Sequence, residues 1–250
     1  MNTNKPLGVQ LYSVRDDIDP AHLPNTLQRL AGMGFTHVEP YRILENTDGL
    51  RDALERTGLR ATTAHAAITE PDFDAVISAA KSLGIDTIIV PWVEPESIAD
   101  RAGVEALAAA INRVARAARP HGIRIGYHNH DFEFSQHIDG ISAWELLVTL
   151  LDDDVILELD TYWASVGGGD VFEILPRLSH RIRFLHVKNE LPDAGDPPML
   201  GVDITGRLGE IIELSRSYVT MPVVEVVVDE GDVFPVLERN AAYFAEQVNA

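Results

Sequence analysis

Short apolar runs alternate along this chain with longer segments of helical period. Leu7-Gly-Val-Gln-Leu-Tyr12 is the first run, bounded by Pro6 and by the polar Ser13-Val-Arg-Asp-Asp17. A run of this length between turn signals predicts a buried strand, whereas apolar residues three or four apart predict a helix. Leu27, Leu30, Ala31 and Met33 keep the helical spacing between Pro24 and Gly34, where glycine stops it. The same reading places further strands over 36–40, 59–65, 87–92, 123–127, 155–160, 182–188 and 221–228. Helices fall between them over 48–56, 72–83, 97–119, 142–151, 170–178, 208–217 and 233–248. Gly58, Gly84 and Gly122 end three of these helices, and Ser142 is an N-cap. The Ala-rich stripe of 102–118 faces the core. Gly167-Gly-Gly169 reads as a flexible loop, and the Pro/Gly-rich 190–206, the longest connection, as a lid or a dimer contact.

Eight strands alternating with eight helices predict one (β/α)8 TIM barrel. A doubly wound open sheet is the competing reading, but no glycine fingerprint follows the first strand. No Ser/Gly/Pro-rich linker divides the 250 residues, so a single domain is expected.

In such a barrel the strand C-termini share one mouth. The polar strand ends are Gln10 and Tyr12, Glu39, His65, Trp92, His128 and His130, Asp160, His186 and Lys188, and Glu225. Side chains alternate faces along a strand. Gly126, His128 and His130 therefore share one face, opposite Tyr127 and Asn129. Glu158 lies on the face of Asp160, Phe184 and Lys188 on that of His186, and Val223 and Val227 on that of Glu225. Two imidazoles at one strand end are costly to bury unless something binds them. Four strand ends supplying His128, Asp160, His186 and Glu225 are enough for one divalent metal, with His130 able to replace His128. The competing reading pairs His186 with Asp160 as a structural hydrogen bond. Nitrogen and oxygen donors together suit Mn, Co, Fe or Zn better than Mg, without choosing among them. Glu158, one layer deeper, supports a ligand or is a neutral core carboxyl. Lys188 contacts substrate or an oxyanion, or pairs with the acidic mouth. Glu39 and His65 are pocket residues or form a strand-end salt bridge. Trp92 and Trp163 offer aromatic faces for stacking on a ligand, or are ordinary packing. His22, His37, His121, His137 and His180 fall outside the strand ends and are expected on the surface.

The net charge of −19, with three Lys against 17 Arg, opposes binding to nucleic acid or anionic membranes. No apolar run approaches the roughly 20 residues of a membrane helix. With no Cys and a start that leads straight into a strand, a cytoplasmic enzyme is expected.

Six segments carry a resemblance: Gly8-Val-Gln-Leu-Tyr-Ser-Val-Arg15, Val38-Glu-Pro40, Tyr127-His-Asn-His-Asp-Phe-Glu-Phe134, Leu159-Asp-Thr-Tyr-Trp163, Leu185-His-Val-Lys188 and Val223-Val-Glu-Val226. Together they resemble the xylose-isomerase-like TIM-barrel superfamily and, within it, the sugar phosphate isomerase/epimerase group. Inosose dehydratases, ketose 3-epimerases and, more distantly, endonuclease IV also belong there. The resemblance implies a divalent ion held by His128, Asp160, His186 and Glu225. Many members have Glu-Asn where this chain has His128-Asn129, which weakens a two-carboxylate mechanism. They often have Asp two residues after the last Glu, where Val227 stands here and Asp229 follows. The implied activity is metal-dependent isomerisation or epimerisation of a sugar or polyol through an enediolate. Glu225 is ligand and base, His130 or Glu39 is the second proton-transfer group, and Lys188 completes the catalytic set as a substrate or oxyanion contact. Gln10, Tyr12, His65, Trp92, Asn129 and Trp163 contact substrate. A dehydratase of the inosose type and a non-catalytic sugar-binding barrel are the alternatives, and the charge opposes a DNA-repair role. A homo-oligomer is expected from the resemblance.

Overall fold

The computed structural model describes residues 6–67, 72–188, 207–227 and 231–249. The connection 190–206, read above as a lid or contact loop, and Asp229 lie outside the described residues. The strands are β1 (Gly8–Gln10), β2 (His37–Glu39), β3 (Thr63–His65), β4 (Thr87–Val90), β5 (Arg124–His128), a small antiparallel hairpin of β6 (His137–Ile138) and β7 (Ile141–Ser142), then β8 (Ile156–Asp160), β9 (Ile182–Lys188) and β10 (Met221–Glu225). Apart from the hairpin, the eight strands among the described residues form one parallel sheet, in the order β2-β1-β10-β9-β8-β5-β4-β3. The two edges meet through single parallel bridges, His37 to Arg60 and Tyr41 to His65, so the sheet is a nearly closed (β/α)8 barrel.

Helices α1 (Leu23–Gly32), α2 (Thr47–Thr57), α3 (Phe73–Leu83), α4 (Arg101–Ala118), α5 (Phe132–Ser135), α6 (Ala143–Leu150), α7 (Thr161–Val166), α8 (Val171–Arg177), α9 (Leu208–Ser215) and α10 (Phe234–Asn249) connect or follow the strands. The first strand is shorter than its apolar run. The Gln10 side chain accepts a hydrogen bond from the Tyr12 amide at 3.1 Å and opens a 3-10 helix over Leu11–Asp17. Helix α4 starts at Arg101 rather than near 97, because Asp100 caps it by accepting from the Gly103 amide at 2.8 Å. Its buried face, Val104, Ala108, Ile111, Ala115 and Ala118, is the Ala-rich stripe.

Strand alternation sorts the core into two shells. Val9, Val38, Ala64, Ile88, Tyr127, Leu157, Leu185 and Val224 face outward and pack under the helices. Ile89, Ile156, Phe184, Met221 and Val223 face inward and plug the barrel. Gly126 is required there, since a Cβ would stand 2.5 Å from Ile89 Cδ1 and 2.8 Å from Ile156 Cγ1. His37, expected on the surface, is buried instead. It sits on β2, and its Nδ1 lies 2.9 Å from the Thr36 hydroxyl.

Candidate metal centre

Above the apolar plug the barrel interior turns polar, one strand end at a time. Register explains the juxtapositions. His128 is level with Glu158, Asp160 with His186, Lys188 with Glu225, and Gln10 with Glu39. Gln10, Glu39, His128, Glu158, Asp160 and His186 are all buried.

Two donor sets result, and they share two imidazoles. His128, Asp160, His186 and Glu225 offer one atom each within 4.8 Å of one another, and so do His65, His128, Glu158 and His186. Each shared ring spans both sets. His128 turns Nε2 to Asp160 at 3.9 Å and Nδ1 to Glu158 at 3.2 Å. His186 turns Nδ1 to Glu225 at 3.2 Å and Nε2 to Glu39 at 2.7 Å and Glu158 at 3.2 Å.

Spacing separates the roles of the sets. Donors about 2.1 Å from a tetrahedral ion stand roughly 3.4 Å apart. In the deeper set His65 Nε2 is 2.7 Å from Glu158 and 3.1 Å from Glu39, the spacing of hydrogen bonds with a proton between. In the upper set Asp160 Oδ2 is buried without a hydrogen-bond partner, while its Oδ1 accepts from the Trp163 amide at 2.9 Å. A buried carboxylate oxygen left unpaired among imidazoles and carboxylates fits a bound cation. The residues present therefore fit a divalent ion at the upper set, where Glu39 fixes the far nitrogen of His186 and Glu158 stands 3.2 Å from that of His128, which has no hydrogen-bond partner.

Charge follows this layering. Burial opposes the ionisation of Glu39, but His65 and His186 outweigh it and hold its carboxyl well below the usual range. Burial likewise opposes charge on His65, yet Glu39 and Glu158 push it up to about 9. Glu158 is raised to about 7 and Asp160 to about 6, both chiefly by burial. Burial resists the charge on Glu225, but Lys188, 3.1 Å away, and His186 hold its carboxyl far down.

The structure brings most of the expected site residues to one cavity of about 780 Å3. Its walls include Gln10, Tyr12, His65, Trp92, His128, His130, Trp163, Lys188 and Glu225. Four expected residues are not in its lining: the fully buried Asp160 and His186, which complete the upper donor set beside His128 and Glu225, and Glu39 and Asn129. Glu39 lies beneath His186 and accepts from the Gln10 amide at 2.9 Å. Asn129 is spent on the chain, accepting from the Asp160 amide at 3.0 Å and donating to its carbonyl at 3.1 Å. It clamps the ends of β5 and β8 together. His130 stands above the donor sets, against Trp92 with ring centroids 4.6 Å apart. Glu133 was not singled out from the sequence. It is buried, accepts from the Tyr127 hydroxyl at 2.7 Å and from the His130 amide at 2.8 Å, and so holds the turn that carries His130. The outward alternation of Tyr127 was the available signal.

A family model described as xylose isomerase-like TIM barrel matches residues 27–211. A search of curated proteins finds no match. Among solved structures, a sugar phosphate isomerase/epimerase from Parabacteroides distasonis superposes with a TM-score of 0.77 at 22% identity, covering 98% of this chain and 97% of its own. A probable 3-DHS dehydratase from Bacillus anthracis gives 0.73 at 13% identity, over 96% and 98%. A xylose isomerase-like TIM barrel protein from Mycobacterium smegmatis in complex with magnesium gives 0.69 at 15%, over 98% and 97%. The likeness to these structures is one of fold, and the matched residues cover most of the barrel: the chain belongs to the xylose isomerase-like TIM barrel family.

Proposed function

We propose that this protein is a divalent-metal-dependent isomerase or epimerase of a ketose-like sugar or polyol. The observation that carries the reading is the upper donor set, with its unpaired Asp160 oxygen, at the floor of a cavity large enough for a sugar. The magnesium complex of the Mycobacterium smegmatis relative and the isomerase/epimerase description of the Parabacteroides relative support it. His128, Asp160, His186 and Glu225 would hold the ion. Bound there, a divalent ion supplies polarisation of a carbonyl–hydroxyl pair and stabilises enediolate charge.

The other steps belong to side chains. Glu225 lines the cavity as a carboxylate and can take the proton next to the carbonyl. Lys188 lines it too, and its ammonium, kept charged by Glu225 against the effect of burial, can return a proton or steady an oxyanion. Burial and Lys188 push His130 down to about 3, so its ring is neutral and orients substrate through hydrogen bonds. Glu39, behind His186, serves by fixing that ring rather than by reaching substrate.

One observation favours a second reading, dehydration. Lys188 and Glu225 place an acid and a base side by side, which suits removal of a proton and protonation of a departing hydroxyl. The dehydratase among the structural relatives agrees with it.

The test is metal content by mass spectrometry on protein purified without chelator, beside Asp160→Ala. About one transition metal or magnesium per chain, lost in the variant, supports the proposal. Absence of metal after soaking with Mn2+ overturns it. Proton exchange into ketoses from deuterated water then marks isomerisation, and a growing enone absorbance marks dehydration.

A further inference from the structure

The cavity has two zones. Its floor is the charged layer just described. Its outer wall is mainly apolar, with Arg42, Glu45 and Asp72 also in the lining, and it is larger than a bare sugar requires: about 780 Å3 lies in the upper part of the roughly 300–1,000 Å3 that encloses drug-sized ligands. Six large hydrophobic side chains among the described residues are exposed, and three of them, Tyr12 at 44%, Leu44 at 43% and Trp92 at 48%, line this one opening. The other three, Ile141, Val166 and Leu214, do not line it. Scattered exposed apolar residues are ordinary, whereas a contiguous group at a cavity mouth marks a binding surface.

The aromatic rings are arranged in two groups. Tyr12 and Tyr41 pack edge to face, centroids 5.4 Å apart, at the ends of β1 and β2. Trp92 packs edge to face on His130 and Phe132 at the ends of β4 and β5. Strand order sets these groups on different sides of the mouth. Trp163 lies at the junction of the zones, its ring 5.3 Å from the Lys188 ammonium. The nearby polar pair Arg42 and Glu45 face each other at 3.8 Å, so their charges are already answered.

We propose that this outer zone is a subsite for a flat apolar substituent, so that the substrate is a keto sugar or polyol bearing an aromatic or similar group away from its carbonyl–hydroxyl pair rather than a bare monosaccharide. The substrate's sugar ring would occupy the charged floor, and the substituent would lie between the tyrosine and tryptophan groups, covered by Leu44. This rests on the sugar-directed reading above and adds the substrate class to it.

The test is calorimetric titration of the Mn2+-supplemented protein with methyl β-D-glucopyranoside, phenyl β-D-glucopyranoside and cellobiose. The phenyl compound is expected to bind at least about tenfold more tightly than the methyl compound, since burying one aromatic ring readily supplies that factor. That preference should shrink to near unity in Leu44→Asp and in Trp92→Ala. Equal affinities in the wild type, no binding of the phenyl compound, or a preference untouched by both substitutions would overturn the proposal. A preference for cellobiose over the phenyl compound would put a second sugar ring there and overturn the apolar reading. The two proposals fail separately. Metal without a phenyl preference removes the subsite alone, and a phenyl preference without metal removes the isomerase reading alone.

Discussion

Glu158 presents one carboxylate oxygen to three imidazoles, at 2.7 Å from His65 and 3.2 Å from both His128 and His186. It hydrogen-bonds His65 and stands within reach of both candidate histidine ligands. Glu158→Gln should therefore weaken metal affinity by roughly 10–100-fold, read by competition with a chromogenic chelator. Retained affinity would reduce Glu158 to a core carboxyl. Glu133 offers a different test. Burial raises its carboxyl to about 7, so the folded chain keeps a proton that the unfolded chain gives up near 4.5. The resulting stability is fully present below the unfolded value and is lost as pH rises through about 7, on the order of 3 kcal/mol in all. Thermal unfolding followed from pH 5 to 8 should fall more steeply for wild type than for Glu133→Gln, in which an amide can still meet the Tyr127 hydroxyl and the His130 amide. Parallel profiles would refute the assignment. At this scale the sequence was partly legible. Alternation on a strand places Asp160, His186 and Glu225 on the inner face, and the same rule places Glu158 there. Alternation is silent about depth, however, and depth is what separates Glu158 and Glu39 from the cavity walls. The role of Asn129 was hidden because its partners are main-chain atoms on another strand.

The elements tell a similar story, with the regular ones legible and the short ones not. Helices such as α4 and α6 announced themselves by period and by caps, Ser142 accepting from the Glu145 amide at 3.2 Å. The four residues of α5, the hairpin β6–β7 and the six residues of α7 are too short for any period to show. Gly167-Gly-Gly169 shows what composition alone conceals. Gly167 and Gly169 serve close packing between α7 and the segment after β5, whereas Gly168 takes a positive φ of 91°. A Cβ on Gly167 would collide with the Asp131 carbonyl oxygen, and one on Gly169 would stand 2.6 Å from Phe134 Cδ1. That segment carries His130, and α7 carries Trp163. Gly167→Ala should cost about 1–3 kcal/mol, because a backbone atom rather than a flexible side chain must give way. The melting temperature reads this directly, and an unchanged value would mean that the two segments can part without strain.

For the whole molecule, seven of the eight barrel strands, all but β4, bring a polar side chain to one layer over an apolar plug; the βα alternation predicted the barrel and the polar strand ends its shared mouth, but not the plug. An ion bound only by the folded chain stabilises it by mass action, about 2.7 kcal/mol at one hundred times its dissociation constant. For a domain of this size that is roughly 5–10 °C in melting temperature. Mn2+ should raise the wild-type midpoint by such an amount, chelator should reverse it, and Asp160→Ala should respond to neither. A wild-type midpoint indifferent to the ion would count against the upper donor set. The closure of the barrel bears on this same layer. Between β2 and β3 the wall is held by lone bridges, and the amide of His65 donates to the Pro40 carbonyl at 2.9 Å. Across that gap the side chains of Glu39 and His65 also meet, 3.1 Å apart. The barrel thus has a seam, and the layer beneath the candidate metal ligands is its clasp. Any breathing of the seam would unmake the proposed metal centre while the rest of the wall still stood. Amide hydrogens along 37–41 and 60–65 are accordingly the ones whose exchange should slow most when the ion is added.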